Sequence, residues 1–222
     1  MTHIAPGRVQ RGLALTATII ASSMGFIDST IVHIALPSIQ QDLDTSFASL
    51  QWIANIYLLA LCALMVISGA LGDRYGPRRL FIIGIVGFTL ASAACAAATS
   101  SHALIVARML QGIGAALMLP QALSIIARLY PPDRRGKAVG MWSMSAAAAA
   151  AAGPVVGGLL VDNGGWPYAF WVNLPLGVIA LVLTVYAVPR GNQRTQVPLD
   201  WPGSTLLVCG LGAFVFGTIN LS

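Results

Sequence analysis

The 222 residues are 57% hydrophobic and only 9% charged, with seven Asp, no Glu, eleven Arg and one Lys, for a net charge of +5. A water-soluble domain carries about 25% charged side chains. This composition therefore excludes a soluble enzyme, a disordered chain and a disulfide scaffold, and leaves an integral membrane protein.

A bilayer core needs roughly 20 apolar residues per helix. Seven stretches meet that need: 12–36, 50–72, 80–99, 103–127, 138–161, 167–188 and 201–221. The gaps are short, and those at 128–137 and 189–200 hold much of the Pro, Arg and Asp. No stretch alternates with a two-residue period, which disfavours a β-barrel. The first apolar run is too long for a cleavable signal peptide. Cys62, Cys95 and Cys209 each lie in an apolar run with no CxxC or His/Cys cluster. They read as small buried hydrophobes, and no metal site is expected.

The charges label topology. Arg8 and Arg11 precede the first span. Arg74, Arg78 and Arg79 follow the second, and Arg128, Arg134, Arg135 and Lys137 surround the loop after the fourth. Arg190 and Arg194 follow the sixth. The loops after spans one, three and five carry no Lys or Arg, so the basic side is cytoplasmic and the N-terminus lies there. The positive charge is a topology signal and a contact for anionic lipid, not a nucleic-acid footprint. Trp52, Trp166, Tyr168 and Trp201 fall at span ends, as interfacial anchors do. The expected division is a cytoplasmic N-terminus (1–11), a six-helix bundle (12–188), a cytoplasmic linker (189–200) and a seventh helix (201–222).

Residues 69–81 and 158–170 share the pattern G-x-L-x-D-x-x-G-x-x-x-x-F. Gly69/Gly158, Leu71/Leu160, Asp73/Asp162, Gly76/Gly165 and Phe81/Phe170 match at an offset of 89 residues. Three helices separate the copies, an odd number, so the copies face opposite sides of the membrane. That is the mark of a three-plus-three inverted repeat, a transporter architecture.

Two charges lie inside spans. Asp28 is midway along the first. A carboxyl in hydrocarbon is costly to ionise and marks a pathway or relay by default. The plainer alternative is a carboxyl that hydrogen-bonds Ser29, Thr30 or another helix. Arg108 lies in the fourth span. At about 1.5 Å per residue, Arg108 and Asp28 sit roughly 8 Å and 12 Å below the outer ends of their helices, close enough in depth to be neighbours. Gln111, one turn below, is a polar partner for the pair. The alternative for Arg108 is snorkelling to the outer headgroups. Asp73 sits at the negative end of its helix, where an acid needs Arg74, Arg78, Arg79 or another helix's N-terminus. Gly76 and Pro77 make the tight turn that follows. In the fifth span, Gly153 and Gly157 form GxxxG, which lets a second helix approach closely, and Pro154 removes a backbone donor. Pro120 and Pro175 are further kink positions. His33, in the first span, is placed toward a polar crevice near the outer interface. No catalytic triad or P-loop is present, so no enzyme is expected.

These residues resemble the major facilitator superfamily, and within it the fourteen-helix drug:proton antiporters. Gly69, Leu71, Asp73, Arg74, Gly76, Arg78 and Arg79 resemble the loop 2–3 motif, with Pro77 where a basic residue is common. Leu104, Arg108, Gln111, Gly112, Gly114 and Ala115 resemble the helix 4 motif. Gly153, Pro154, Gly157 and Gly158 resemble the antiporter motif of helix 5, with Ala149 in place of its first Gly. Asp28, Thr30, Ala35, Leu36 and Pro37 resemble the helix 1 motif, with His33 in place of its Asn.

The resemblance implies an all-α transmembrane bundle that exports hydrophobic or cationic small molecules in exchange for protons. It implies the proton gradient as energy source, no cofactor, and a role for Arg108 in proton transfer. It also implies a location in the cell membrane and a C-terminal half that completes the cavity, so the chain is expected to be the N-terminal part of such a transporter. Alternatives are a transport-inactive membrane subunit that needs a second half, and a transporter of another small solute.

Overall fold

The structure, a computed structural model, describes residues 7–190 together with Gly210 and Gly217. Apart from Gly210 and Gly217, the expected seventh helix lies outside the described residues, as does nearly all of the 189–200 linker. Within them the chain forms α1 (Arg8–Asp42), α2 (Phe47–Tyr75), α3 (Pro77–Ala96), α4 (Ser101–Leu129), α5 (Pro132–Gly164), α6 (Tyr168–Trp171) and α7 (Asn173–Ala187). By length and composition, α1 to α5 and the α6–α7 pair make six spans able to cross a membrane.

Most helices run past the apolar windows read from sequence, because a helix stops at its capping signals and not at the edge of the hydrocarbon. Ser46 and Ser100 cap α2 and α4, accepting from the backbone N–H of Ser49 and Ala103. Gly76 (φ 93°) and Gly165 (φ 82°) end α2 and α5, each donating its N–H to the carbonyl four residues back. The two are equivalent positions of the sequence repeat, and they are the glycines at positive φ among the described residues. The sixth span is broken at Val172, three residues before Pro175. A proline ring opposes the carbonyl four residues earlier, here that of Trp171.

Pairings follow the repeat. α4 packs on α2 and α3, and α1 packs on α5 and α7. If α1–α2–α3 and α4–α5–α6/α7 are equivalent, these are two copies of the same two contacts. Glycines let the backbones close. A Cβ on Gly84 would lie 2.8 Å from the Met118 nitrogen, and one on Gly114 would lie 2.5 Å from the Phe88 nitrogen. Both sit on the α3–α4 seam. On the α1–α5 seam, Gly153 meets Thr30 and Gly157 meets Ile31.

The buried apolar residues divide along the helix axes. Met24, Tyr57, Phe88 and Ala115 form a middle cluster. Ile31, Val32, Ile53, Leu104 and Phe170 belong to the next cluster toward the α1 C-terminus. The outward faces remain apolar, with Val66, Leu90, Met144, Val155 and Val182 all exposed. Trp166 departs from its expected interfacial role. It is buried, and its indole N–H donates to Asp42 at 2.7 Å, tying the α5–α6 turn to the end of α1. His33 is exposed.

Overpacking a tight seam costs about 1–3 kcal/mol, so Gly114→Ala is expected to lower stability by that order. Gly158→Ala, where a new Cβ meets nothing within 4 Å, is expected to stay within about 0.5 kcal/mol of the parent. Thermal unfolding in detergent, compared between the two variants, checks both.

Candidate functional site

The site lies between the cluster that holds Met24 and the cluster that holds Ile31. Met24, Gly25, Asp28, Ile31, Val32 and Ala35 recur at three- and four-residue spacing and form the buried stripe of α1. Leu104, Ala107, Arg108, Gln111, Gly112 and Ala115 do the same on α4. The stripes bring Asp28 and Arg108 together, and both are completely buried.

Arg108 Nη1 donates to Asp28 Oδ2 and, at 2.7 Å, to Gln111 Oε1. Gln111 Nε2 donates to Asp28 Oδ1 at 2.7 Å and to Ser92 Oγ at 3.2 Å. Asn173 Nδ2, from the first residue of α7, donates to Asp28 Oδ1 at 3.2 Å and to Ser92 Oγ at 3.0 Å. The Ser92 hydroxyl donates to the Phe170 carbonyl at 2.9 Å. The guanidinium is further held by the Ile53 carbonyl, which accepts from Nε at 3.4 Å. Its carbon lies 4.5 Å from the Tyr57 ring centroid and 5.8 Å from that of Phe170. Tyr57 anchors itself by donating to the Gly25 carbonyl at 3.1 Å.

A buried charge is tolerated when it is paired and hydrogen-bonded. Here one cation, one anion and four uncharged polar side chains close most of the available bonds. Two atoms of the network remain without a partner, Arg108 Nη2 and Asn173 Oδ1.

Residues 18–220 match the model of the Major Facilitator Superfamily. The chain belongs to that superfamily. It is accordingly a multi-pass membrane protein of a transporter family, not an enzyme. It is 43% identical over 207 residues to the tetracenomycin C resistance and export protein of Streptomyces glaucescens, covering 93% of this chain and 38% of that protein. It is 37% identical over 213 residues to the methylenomycin A resistance protein of Streptomyces coelicolor, covering 96% of this chain and 45% of that protein. The chain thus spans less than half the length of these relatives. Among solved structures, a bacterial homologue of the human lysosomal transporter Spinster, inward-facing and unoccupied, superposes with a TM-score of 0.71 at 24% identity. That match covers 87% of this chain and 47% of the other. A peptide transporter bound to sulfate gives 0.72 at 20% identity, over 99% and 46%. At these identities the structural matches speak for the fold alone.

The superfamily-like motifs take distinct places. The snorkelling alternative for Arg108 does not hold, since its side chain turns into the bundle. The partners expected for Asp73 are corrected. Arg128 of α4 approaches it, at 3.8 Å between half-exposed groups. Arg78 instead donates to the Val185 carbonyl of α7 at 2.9 Å, Arg74 lies against the Tyr75 ring, and Arg79 is exposed. α4 reaches the loop first because Gln121 fills the space beside Gly72 and donates to the Ser68 carbonyl at 2.8 Å. A Cβ added at Gly69 would meet nothing within 4 Å, and Gly76 makes the turn. In α5, Gly153 and Gly157 face α1 immediately after Asp28, whereas Pro154 is exposed and a Cβ added at Gly158 would meet nothing within 4 Å.

Sequence reading did not single out Tyr57, Ser92 or Asn173. Asn173 carried the strongest available signal, a lone amide inside an apolar span beside a proline.

Arg108→Leu leaves the Asp28 charge unpaired and is expected to destabilise the protein by about 3–5 kcal/mol. Adding Asp28→Asn to Arg108→Leu is expected to recover most of that loss. Denaturation of the two single variants and the double variant in micelles measures the coupling, and strictly additive effects would refute it.

Proposed function

We propose that this chain is the N-terminal part of a proton-coupled antiporter that exports hydrophobic or cationic small molecules across the cell membrane. The observation that carries the reading is the fully buried Asp28–Arg108–Gln111 cluster. A carboxylate in a dry bundle is expensive to maintain, and its retention fits a group that takes up and releases a proton. Similarity to resistance and export proteins supports small-molecule efflux. Partial coverage of those relatives supports a second bundle as the partner that completes the cavity. The energy source is the proton gradient, with no cofactor. The basic loops face the cytoplasm and anionic lipid, with the N-terminus on that side.

In the cycle we propose, protonation of Asp28 in the outward-open state weakens its hold on Arg108 and displaces the substrate. Proton release inward restores the ion pair and resets the site. Asp73 and the Gly69–Arg79 loop gate the cytoplasmic side, and α5, through Gly153, Pro154, Gly157 and Gly158, moves against its neighbours.

The test uses cells expressing the complete gene. Efflux and resistance are expected to collapse when the proton gradient is dissipated, and Asp28→Asn is expected to abolish pH-dependent efflux while still reaching the membrane. Resistance that survives loss of the gradient would overturn proton coupling. Unchanged pH-dependent efflux in Asp28→Asn would overturn the role of that residue.

A further inference from the structure

Asp28 is ringed by donors. Oδ2 faces the Arg108 guanidinium, and Oδ1 accepts from the amides of Gln111 and Asn173. This arrangement suits an anion, since each of the three bonded partners donates and none accepts a proton from either oxygen. To hold neutral Asp28 in the same place, the bundle must turn one donor into an acceptor. A carboxamide does this by rotating about its last bond, which exchanges oxygen and nitrogen at nearly constant shape.

Gln111 is not free to rotate. Its Oε1 accepts from Arg108 Nη1 at 2.7 Å and from the Cys95 thiol at 3.6 Å, so turning it would set an NH2 group against the guanidinium. Asn173 has no such tie. It is completely buried, and its Oδ1 has no hydrogen-bond partner. Only the bonds on Nδ2 hold the amide in its present orientation.

We propose that Asn173 is the positioning residue that lets Asp28 change protonation state in place. With Asp28 ionised, Nδ2 donates to Oδ1. When a proton adds to a lone pair of Oδ1, the amide turns over: its own Oδ1 accepts from the new O–H, Nδ2 gives up its bond to Ser92 Oγ, and the Ser92 hydroxyl turns from the Phe170 carbonyl to that same amide oxygen. No covalent bond breaks other than the one that delivers the proton. The inference rests on the reading of Asp28 as the proton-carrying group.

The titratable groups around Asp28 are Arg108 of α4, the Tyr57 hydroxyl of α2 and the Cys95 thiol of α3. α5 presents Gly153 and Gly157 beside it, α6 presents the Phe170 ring and carbonyl, and α7 presents Asn173 itself. Asn173 is thus the uncharged neighbour whose turnover answers the proton without moving Arg108.

The full chain, reconstituted in lipid nanodiscs, is compared across pH by infrared difference spectroscopy, with the side-chain amides of Asn or of Gln labelled with nitrogen-15. A protonated-carboxyl band that is lost in Asp28→Asn is expected at low pH. It should be accompanied by a shift of an Asn amide band that Asn173→Leu removes, with no counterpart among the Gln bands. Asn173→Leu should move the carboxyl band to higher frequency, as befits an acid with one hydrogen bond fewer. Asn173→Thr, whose hydroxyl both donates and accepts, should restore it. An Asp28 carboxyl band with no accompanying Asn signal overturns the inference even if the Leu variant fails to fold. So does a carboxyl band that Asn173→Leu leaves in place. A titration with no Asp28-dependent band overturns the proton-carrying reading itself, and the inference with it.

Discussion

One carboxylate and one guanidinium, both at zero exposure, set the terms for the rest of this bundle. Neither ion is tolerable alone in an apolar interior, and even the pair needs its remaining donors and acceptors occupied. That requirement accounts for the convergence of an amide from α4, a hydroxyl from α3, an amide from α7 and an aromatic face from α2 on the same few ångströms. The alternative, two hydrocarbon side chains of similar volume, would pack at least as well. The polar cluster therefore reads as a functional commitment, which is why the proposed mechanism is placed there.

Convergence has a steric condition. Groups from α2, α3 and α4 can meet around one ion pair only if α4 sits close to α2 and α3 at once. Gly112 lets the Tyr57 backbone approach α4, and Gly84 with Gly114 lets α3 do so. The glycines on these seams thus bear on the electrostatics, because each lets α4 close on a helix that contributes to the cluster. The break at Val172 has a similar consequence. It starts a new helix at Asn173 and gives α7 a polar first residue within hydrogen-bonding distance of Asp28.

Much of this was legible in the sequence. Length and apolarity marked the spans. The 89-residue offset marked the repeat, and Gly76 and Gly165 proved to be its two turns. Asp28, Arg108 and Gln111 stood out because charges and amides are rare in such spans. What was not legible depended on direction. Nothing in the residues around Asp73 says that Arg128, distant in sequence, lies nearer than Arg78. Arg78 turns toward the end of α7 because a carbonyl is free there. Trp166 looked like an interfacial anchor, and a carboxylate at the end of α1 drew it inward. Ser92 and Asn173 are ordinary residues until the fold bonds them to each other beside one acid.

The repeat makes the backbone frame nearly indifferent to which side of the membrane is up, since the α4–α2 and α1–α5 contacts are counterparts. The charges do not share that indifference. The 89-residue offset maps Asp28 onto Leu117 and Arg108 onto Ile19, both apolar. The acid therefore belongs to one repeat and the base to the other, each with a hydrocarbon where its twin would be. A rocking motion that treats the two repeats alike would meet a different electrical landscape from each side. This asymmetry of content within a symmetric container is what distinguishes the two faces of the bundle.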